Sequence, residues 1–203
     1  MKQKIVFQRI FLASLFATTA LSGYAQQQFT QITTKENRSC GSACTLLDVP
    51  DLNGNSAAII LVTPLTGDIN PHPVGVYYTK VNGNWRWSII NLDAKLMNEG
   101  SKFNVQYFSK PDSNQFVHYV HQNNLNYHKI DTSYINHAGL NGNPKARFQY
   151  IVNGNGTNMY EVKFQYNAAV GKWYLFNTNH RELGLGIAYN IVIDTGGNNK
   201  VIK

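Results

Sequence analysis

The chain carries its own sequence twice, and a duplicated unit accounts for most residues as architecture before any site has to be considered. Met97-Asn98-Glu99-Gly100-Ser101-Lys102-Phe103-Asn104-Val105 is echoed 86 positions later by Leu183-Gly184-Leu185-Gly186-Ile187-Ala188-Tyr189-Asn190-Ile191. Leu52-Asn53-Gly54-Asn55 returns 88 positions on as Leu140-Asn141-Gly142-Asn143. Val74, Val76 and Tyr78 return at that same offset as Val162, Phe164 and Tyr166. Trp87-Ser88-Ile89-Ile90-Asn91 becomes Trp173-Tyr174-Leu175-Phe176-Asn177 at offset 86, so the second copy is two residues shorter in the hairpin before the tryptophan.

Within each copy the apolar period is two. Side chains alternate across a strand, so Val74, Val76 and Tyr78 share one face, as do Trp87 and Ile89, and Phe103, Val105 and Tyr107. Their counterparts in the second copy keep the pattern, which predicts a common inner face. Further strands are expected at 29–32, 57–62, 116–120 and 147–152. The only helix candidate is a turn at 94–98, and the cysteines and the stretch 132–139 read as insertions. Five Asn-Gly pairs, at Asn53, Asn82, Asn141, Asn153 and Asn155, supply hairpin turns, because both residues tolerate left-handed backbone. The expectation is an all-β protein. Two copies of a roughly five-stranded antiparallel unit (26–110 and 111–203), related by a pseudo-twofold, pack together as a sandwich or barrel.

Residues 1–25 read as a secretory signal peptide. Lys2, Lys4 and Arg9 precede a short apolar run, and Gly23 and Ala25 place small residues before Gln26. That run is shorter than the roughly 20 residues a bilayer span needs. Cleavage near Ala25 leaves 15 basic and 11 acidic residues, a net charge of +4. These charges are scattered, which argues against nucleic-acid binding. In an exported, secreted or periplasmic chain, Cys40 and Cys44 are expected to pair as a disulfide.

Asn70-Pro71-His72-Pro73-Val74-Gly75-Val76-Tyr77-Tyr78, Trp87-Ser88-Ile89-Ile90-Asn91-Leu92-Asp93 and the stretch from Met97 to Val105 carry a resemblance. They resemble a secreted bacterial tandem β-module of uncharacterised function. Its pattern is His-Pro-x-Gly-Val-[Trp/Tyr]-Tyr, then Trp-x-Ile-x-Asn-x-Asp, then Met-x-x-Gly-x-x-Phe-Asn-Val. Phe116-Val117-His118, Ile130-Asp131 and Asn141-Gly142-Asn143-Pro144 resemble that module's between-copy segment. The second copy departs from the pattern, with Tyr160-Glu161 for the His-Pro pair and Asn179 for the Asp. The resemblance implies an extracellular, β-rich, non-catalytic protein and supplies no ligand.

The residues offer limited chemistry. His72 with Asp93 would make a general base for a small secreted hydrolase, but no nucleophile motif accompanies them. His118, His121 and His128 suggest a metal set. On a strand, however, positions three apart point to opposite faces, so neither metal nor cofactor is expected. Asn91, Asn177, Asn104 and Asn190 recur beside core strands and are read as satisfying turn backbone. Tyr77, Trp85 and Tyr174 lie off the shared core pattern, near Arg86 and the Asn-rich hairpins. Rings flanked by amides suit stacking on sugars, although packing between layers would use them equally. The leading expectation is therefore a secreted, non-catalytic binding protein or exported effector contacting glycan or a host surface protein. The alternatives are the hydrolase and a structural protein assembling through sheet edges.

Overall fold

Period-two alternation produces strands almost throughout the computed structural model. It describes residues 26–67, 69–126, 129–154 and 158–195, with 129 and 130 described by their backbone alone. The signal-peptide segment, His128 and the Asn155 turn lie outside the described residues. The first copy forms β1 (Gln27–Ile32), β2 (Arg38–Ser39), β3 (Cys44–Leu47), β4 (Ile59–Pro64), β5 (Val74–Val81), β6 (Asn84–Asn91) and β7 (Lys102–Phe108). The second forms β8 (Gln115–Tyr119), β9 (Leu125–Asn126), β10 (Lys129–Tyr134), β11 (Phe148–Asn153), β12 (Val162–Asn167), β13 (Lys172–Asn177) and β14 (Ala188–Ile193).

The two series pair alike. Order β1-β7-β4 recurs as β8-β14-β11, and β2-β3-β6-β5 as β9-β10-β13-β12. Registers match as well. Val105 faces Phe29 and Val62, as Ile191 faces Phe116 and Tyr150. Ile89 lies between Thr45 and Val76, as Leu175 lies between Ser133 and Phe164. Trp87 and Trp173 occupy equivalent places, their indole N–H groups donating to the carbonyls of Asn55 (2.8 Å) and Asn143 (2.9 Å).

Three expectations need correcting. Among the described residues each copy has seven strands rather than roughly five, because β3 and β10 fall in the supposed insertions beside β6 and β13, and the two-residue β2 and β9 pair with them. Residues 94–98 are not helical. Ala94 has φ 55° and turns the chain left-handed, and the helical element among the described residues is the 3-10 turn Cys40–Ser42, bridged by the Cys40–Cys44 disulfide. Among the described residues no sheet closes into a barrel: there are a three-stranded, a four-stranded and a seven-stranded sheet.

The seven-stranded sheet, β2-β3-β6-β5-β11-β14-β8, draws on both copies. Consecutive residues along it enter opposite cores. Val76, Ile89, Ile151 and Val192 join Phe103 and Val105 of the three-stranded sheet, while Tyr77, Ile90, Val152 and Ile191 join Val162 and Leu175 of the four-stranded sheet. The shared sheet is therefore a middle layer, covered on one face by β1-β7-β4 and on the other by β12-β13-β10-β9.

The copies join where β5 meets β11 in parallel, with Asn153 opposite Val76 and the Gly154 N–H donating to the Val76 carbonyl at 2.9 Å. A pseudo-twofold would also pair their counterparts, β4 with β12. Those two strands end separate sheets, so the join is head to tail. Gly75 makes it possible, since a Cβ there would lie 2.8 Å from Leu92 Cδ2 and 2.9 Å from the Val152 carbonyl. At the two unjoined edges the corresponding positions are Lys163 and Pro64. Lysine and proline on sheet edges oppose further strand addition.

Candidate functional site

The duplication separates residues that build the fold from residues that depart from it. Asn91 and Asn177 belong to the first group. Asn91 donates to the carbonyls of Lys95 and Leu96 and pairs with Asn70, while Asn177 donates to those of Arg181 and Glu182 and pairs with Asn158. Asn104 and Asn190 do not serve turns. Asn104 accepts from Gln28 at the surface, whereas buried Asn190 donates to the Ile60 carbonyl and ties the middle layer to β4.

The second copy also holds a buried relay. His118 Nε2 lies 2.9 Å from Ser133 Oγ, and the Ser133 hydroxyl donates to Asn124 Oδ1 at 2.9 Å. That hydroxyl proton is committed to Asn124, so His118 donates to the serine and does not act as its base. The first copy has the same relay in other residues, Gln31 to Thr45 to Asn37, which identifies it as a structural brace. Burial, with His121 nearby, lowers the His118 imidazole from 6.5 to about 4.

This predicts an acid sensitivity. A histidine free in the unfolded chain titrates near 6.5, so below that pH the unfolded state takes up a proton that the fold refuses. Stability should fall as pH drops from about 6.5 to about 4, by on the order of 2–3 kcal/mol, and this contribution levels off below. Urea midpoints at pH 7 and pH 4.5 test it. His118→Gln, the residue of the first copy, should remove most of the difference, and an unchanged pH slope in that variant would refute the assignment.

His72 and Asp93 do meet, Nδ1 to Oδ2 at 2.8 Å, and Asp93 Oδ1 also accepts the Lys95 N–H. The second copy makes its own pair, which sequence reading missed: His180 Nδ1 to Asp131 Oδ2, 2.8 Å. It uses positions equivalent to Ala94 and Ala43, not to His72 and Asp93. Each pair braces the turn after the tryptophan strand, and His180 shares with Ala94 a left-handed backbone. Burial pushes both carboxyls upward but is outweighed. Lys95 N–H and His72 at Asp93, and His180 and Thr132 at Asp131, hold them below the usual carboxylate range. Among the described residues, no three His, Cys, Asp or Glu side chains are grouped to hold a metal.

The four aromatic and cationic candidates do not gather in one place. Tyr77 is half-buried against the second core. Trp85 is 50% exposed and stacks on Tyr78 with ring centroids 5.4 Å apart, on a hairpin extension that the second copy lacks. Arg86 Nε lies 3.7 Å from Asp48 Oδ1. Tyr174 alone stands on the outer face of the four-stranded sheet.

On that face Tyr134, Tyr174 and Phe176 line a depression of about 280 Å³ with Asn126, Asp131, Gln165, Asn167 and His180. Tyr174 packs on Tyr134 and Phe176 at centroid distances of 5.6 and 5.8 Å. Its hydroxyl donates to Gln165 Oε1 at 2.6 Å, and Asn167 donates to the Tyr134 hydroxyl at 3.0 Å, leaving that O–H to donate outward. Leu46, Ser88 and Ile90 stand at the corresponding places in the first copy. Ser88 and Ile90 are buried there, with Ile90 packed in the second core. The three rings are thus neither core nor inherited pattern. Sequence reading found Tyr174 but missed Tyr134, because β10 was not recognised as a strand, and passed over Phe176, two residues from Tyr174 on the same face of β13.

A family model described as a domain of unknown function, DUF7452, matches residues 10–106 and again 75–193, and the chain belongs to that family. No curated protein and no solved structure matches the chain. Among the described residues no helix is long and apolar enough to cross a membrane.

Proposed function

We propose that this family member is an exported, non-catalytic binding protein that takes up carbohydrate on the outer face of the β12-β13-β10 sheet. The observation that carries the reading is the tyrosine, tyrosine and phenylalanine surface with hydrogen-bonding side chains at its margin. A pyranose ring offers an apolar face of C–H groups and a rim of hydroxyls. Rings cover the first, and an outward Tyr134 O–H and the Gln165 amide bond the second. Export is supported by the signal-like first 25 residues and by the Cys40–Cys44 disulfide, which suits an oxidising compartment. The hydrolase alternative keeps its His72–Asp93 pair, but neither residue lines the aromatic depression.

An oligosaccharide screen of the mature protein, followed by calorimetry on the hits, tests the proposal. Tyr174→Ala should weaken binding by about thirtyfold, the effect of removing a central aromatic anchor worth on the order of 2 kcal/mol. Its thermal midpoint should move little, because Tyr174 lies outside both buried cores. Wild-type affinity in Tyr174→Ala, or silence across the screen, would count against a carbohydrate ligand.

A further inference from the structure

A second, larger depression of about 630 Å³ adjoins the aromatic one, and Tyr134 lines both. Among the described residues its lining includes Lys172, His121, Asn123, Asn124 and Asn136 but no carboxylate. Lys172 is the counterpart of Arg86, and Asn136 is the counterpart of Asp48. In the first copy the cation faces its own carboxylate at 3.7 Å. In the second the cation is kept and the carboxylate has become an amide. None of the salt bridges among the described residues involves Lys172.

An ammonium lining a depression without a counter-charge attracts an anionic group, and the surrounding amides can donate to its oxygens. We infer that the ligand is an acidic oligosaccharide, one sugar ring lying on Tyr174 and Phe176 while the carboxylate of a neighbouring uronic acid unit meets Lys172. This rests on the carbohydrate reading above and adds the charge of the ligand to it. The first copy does not duplicate the site, since its cation is neutralised by Asp48 and its matching sheet face is covered.

The test compares oligogalacturonate with the same oligomer methyl-esterified at its carboxyls, two ligands that differ in charge and share one backbone. The free acid should bind on the order of tenfold more tightly, as expected of one hydrogen bond to a charged group. The advantage should shrink in high salt. Lys172→Gln should bring the two oligomers to nearly equal affinity, chiefly by weakening the free acid, and Lys172→Arg should restore the difference. Asn136→Asp rebuilds the ion pair of the first copy and should abolish the preference without touching the lysine. Equal binding of both oligomers to the parent protein, or a preference that survives Lys172→Gln, overturns the inference and leaves the carbohydrate reading standing. Failure of both oligomers to bind overturns it as well.

Discussion

Trp87→Ala should be among the most damaging single substitutions in the chain, at about 4–5 kcal/mol, in the upper range for a large ring removed from a core. Trp87 is 1% exposed and packs among Val76, Ile89, Phe103 and Val105 beneath the middle layer. Its loss leaves a cavity that β-sheet neighbours on both sides cannot collapse to fill. It also strips the Asn55 carbonyl of its indole donor. Trp173 makes the same hydrogen bond but is only partly buried, at the margin of the second core. Trp173→Ala should therefore cost roughly half as much. Urea unfolding of the two variants measures the ratio. Equal costs would show that equivalent positions carry equivalent energy, contrary to the packing described here.

Gly75→Val should break the junction between copies. The new Cβ would meet the Val152 carbonyl, a backbone atom, at 2.9 Å, and Leu92 Cδ2 at 2.8 Å. The leucine methyl can swing away. The carbonyl can move only if β11 withdraws from β5, and with it goes the Gly154 to Val76 hydrogen bond. A cost of about 3 kcal/mol, toward the upper end for overpacking, is expected, with exposure of Ile151 and Val192 as the copies separate. Lys163→Ala, at the matching place on the unjoined edge, should change stability by less than about 0.5 kcal/mol. Faster amide exchange confined to β11 and β14 in Gly75→Val would locate the damage. Parent-like stability there would mean that the copies are held together elsewhere.

Much of the fold could be read from the chain. The Val-x-Val-x-Tyr and Trp-x-Ile alternations marked strands and their inner faces, the Asn-Gly pairs marked turns, and the offset change from 88 to 86 located the shortened hairpin. Strands β3 and β10 escaped because Cys44–Leu47 is mostly apolar and Lys129–Tyr134 mostly polar, so the two do not read as copies, and their strand state comes from pairing with β6 and β13. The candidate site was correspondingly half visible. Tyr174 stood out as an aromatic off the core pattern. Tyr134 lay in a segment read as an insertion, and the loss of a counter-charge at Asn136 becomes meaningful only once that residue is matched to Asp48.

Local order along the polypeptide thus decided what is repeated within it: which residues alternate, where the chain turns, and which cysteines are close enough to bridge. Pairing partners and covering layers were decided in three dimensions, since alternation assigns a side chain to a face without saying what lies over that face. The same strand pattern leaves β5 joined and its counterpart β12 free, and it buries Ile90 while leaving Phe176 half-buried. Those differences arise from one close approach at Gly75, a contact between residues far apart in the chain, which no periodicity records.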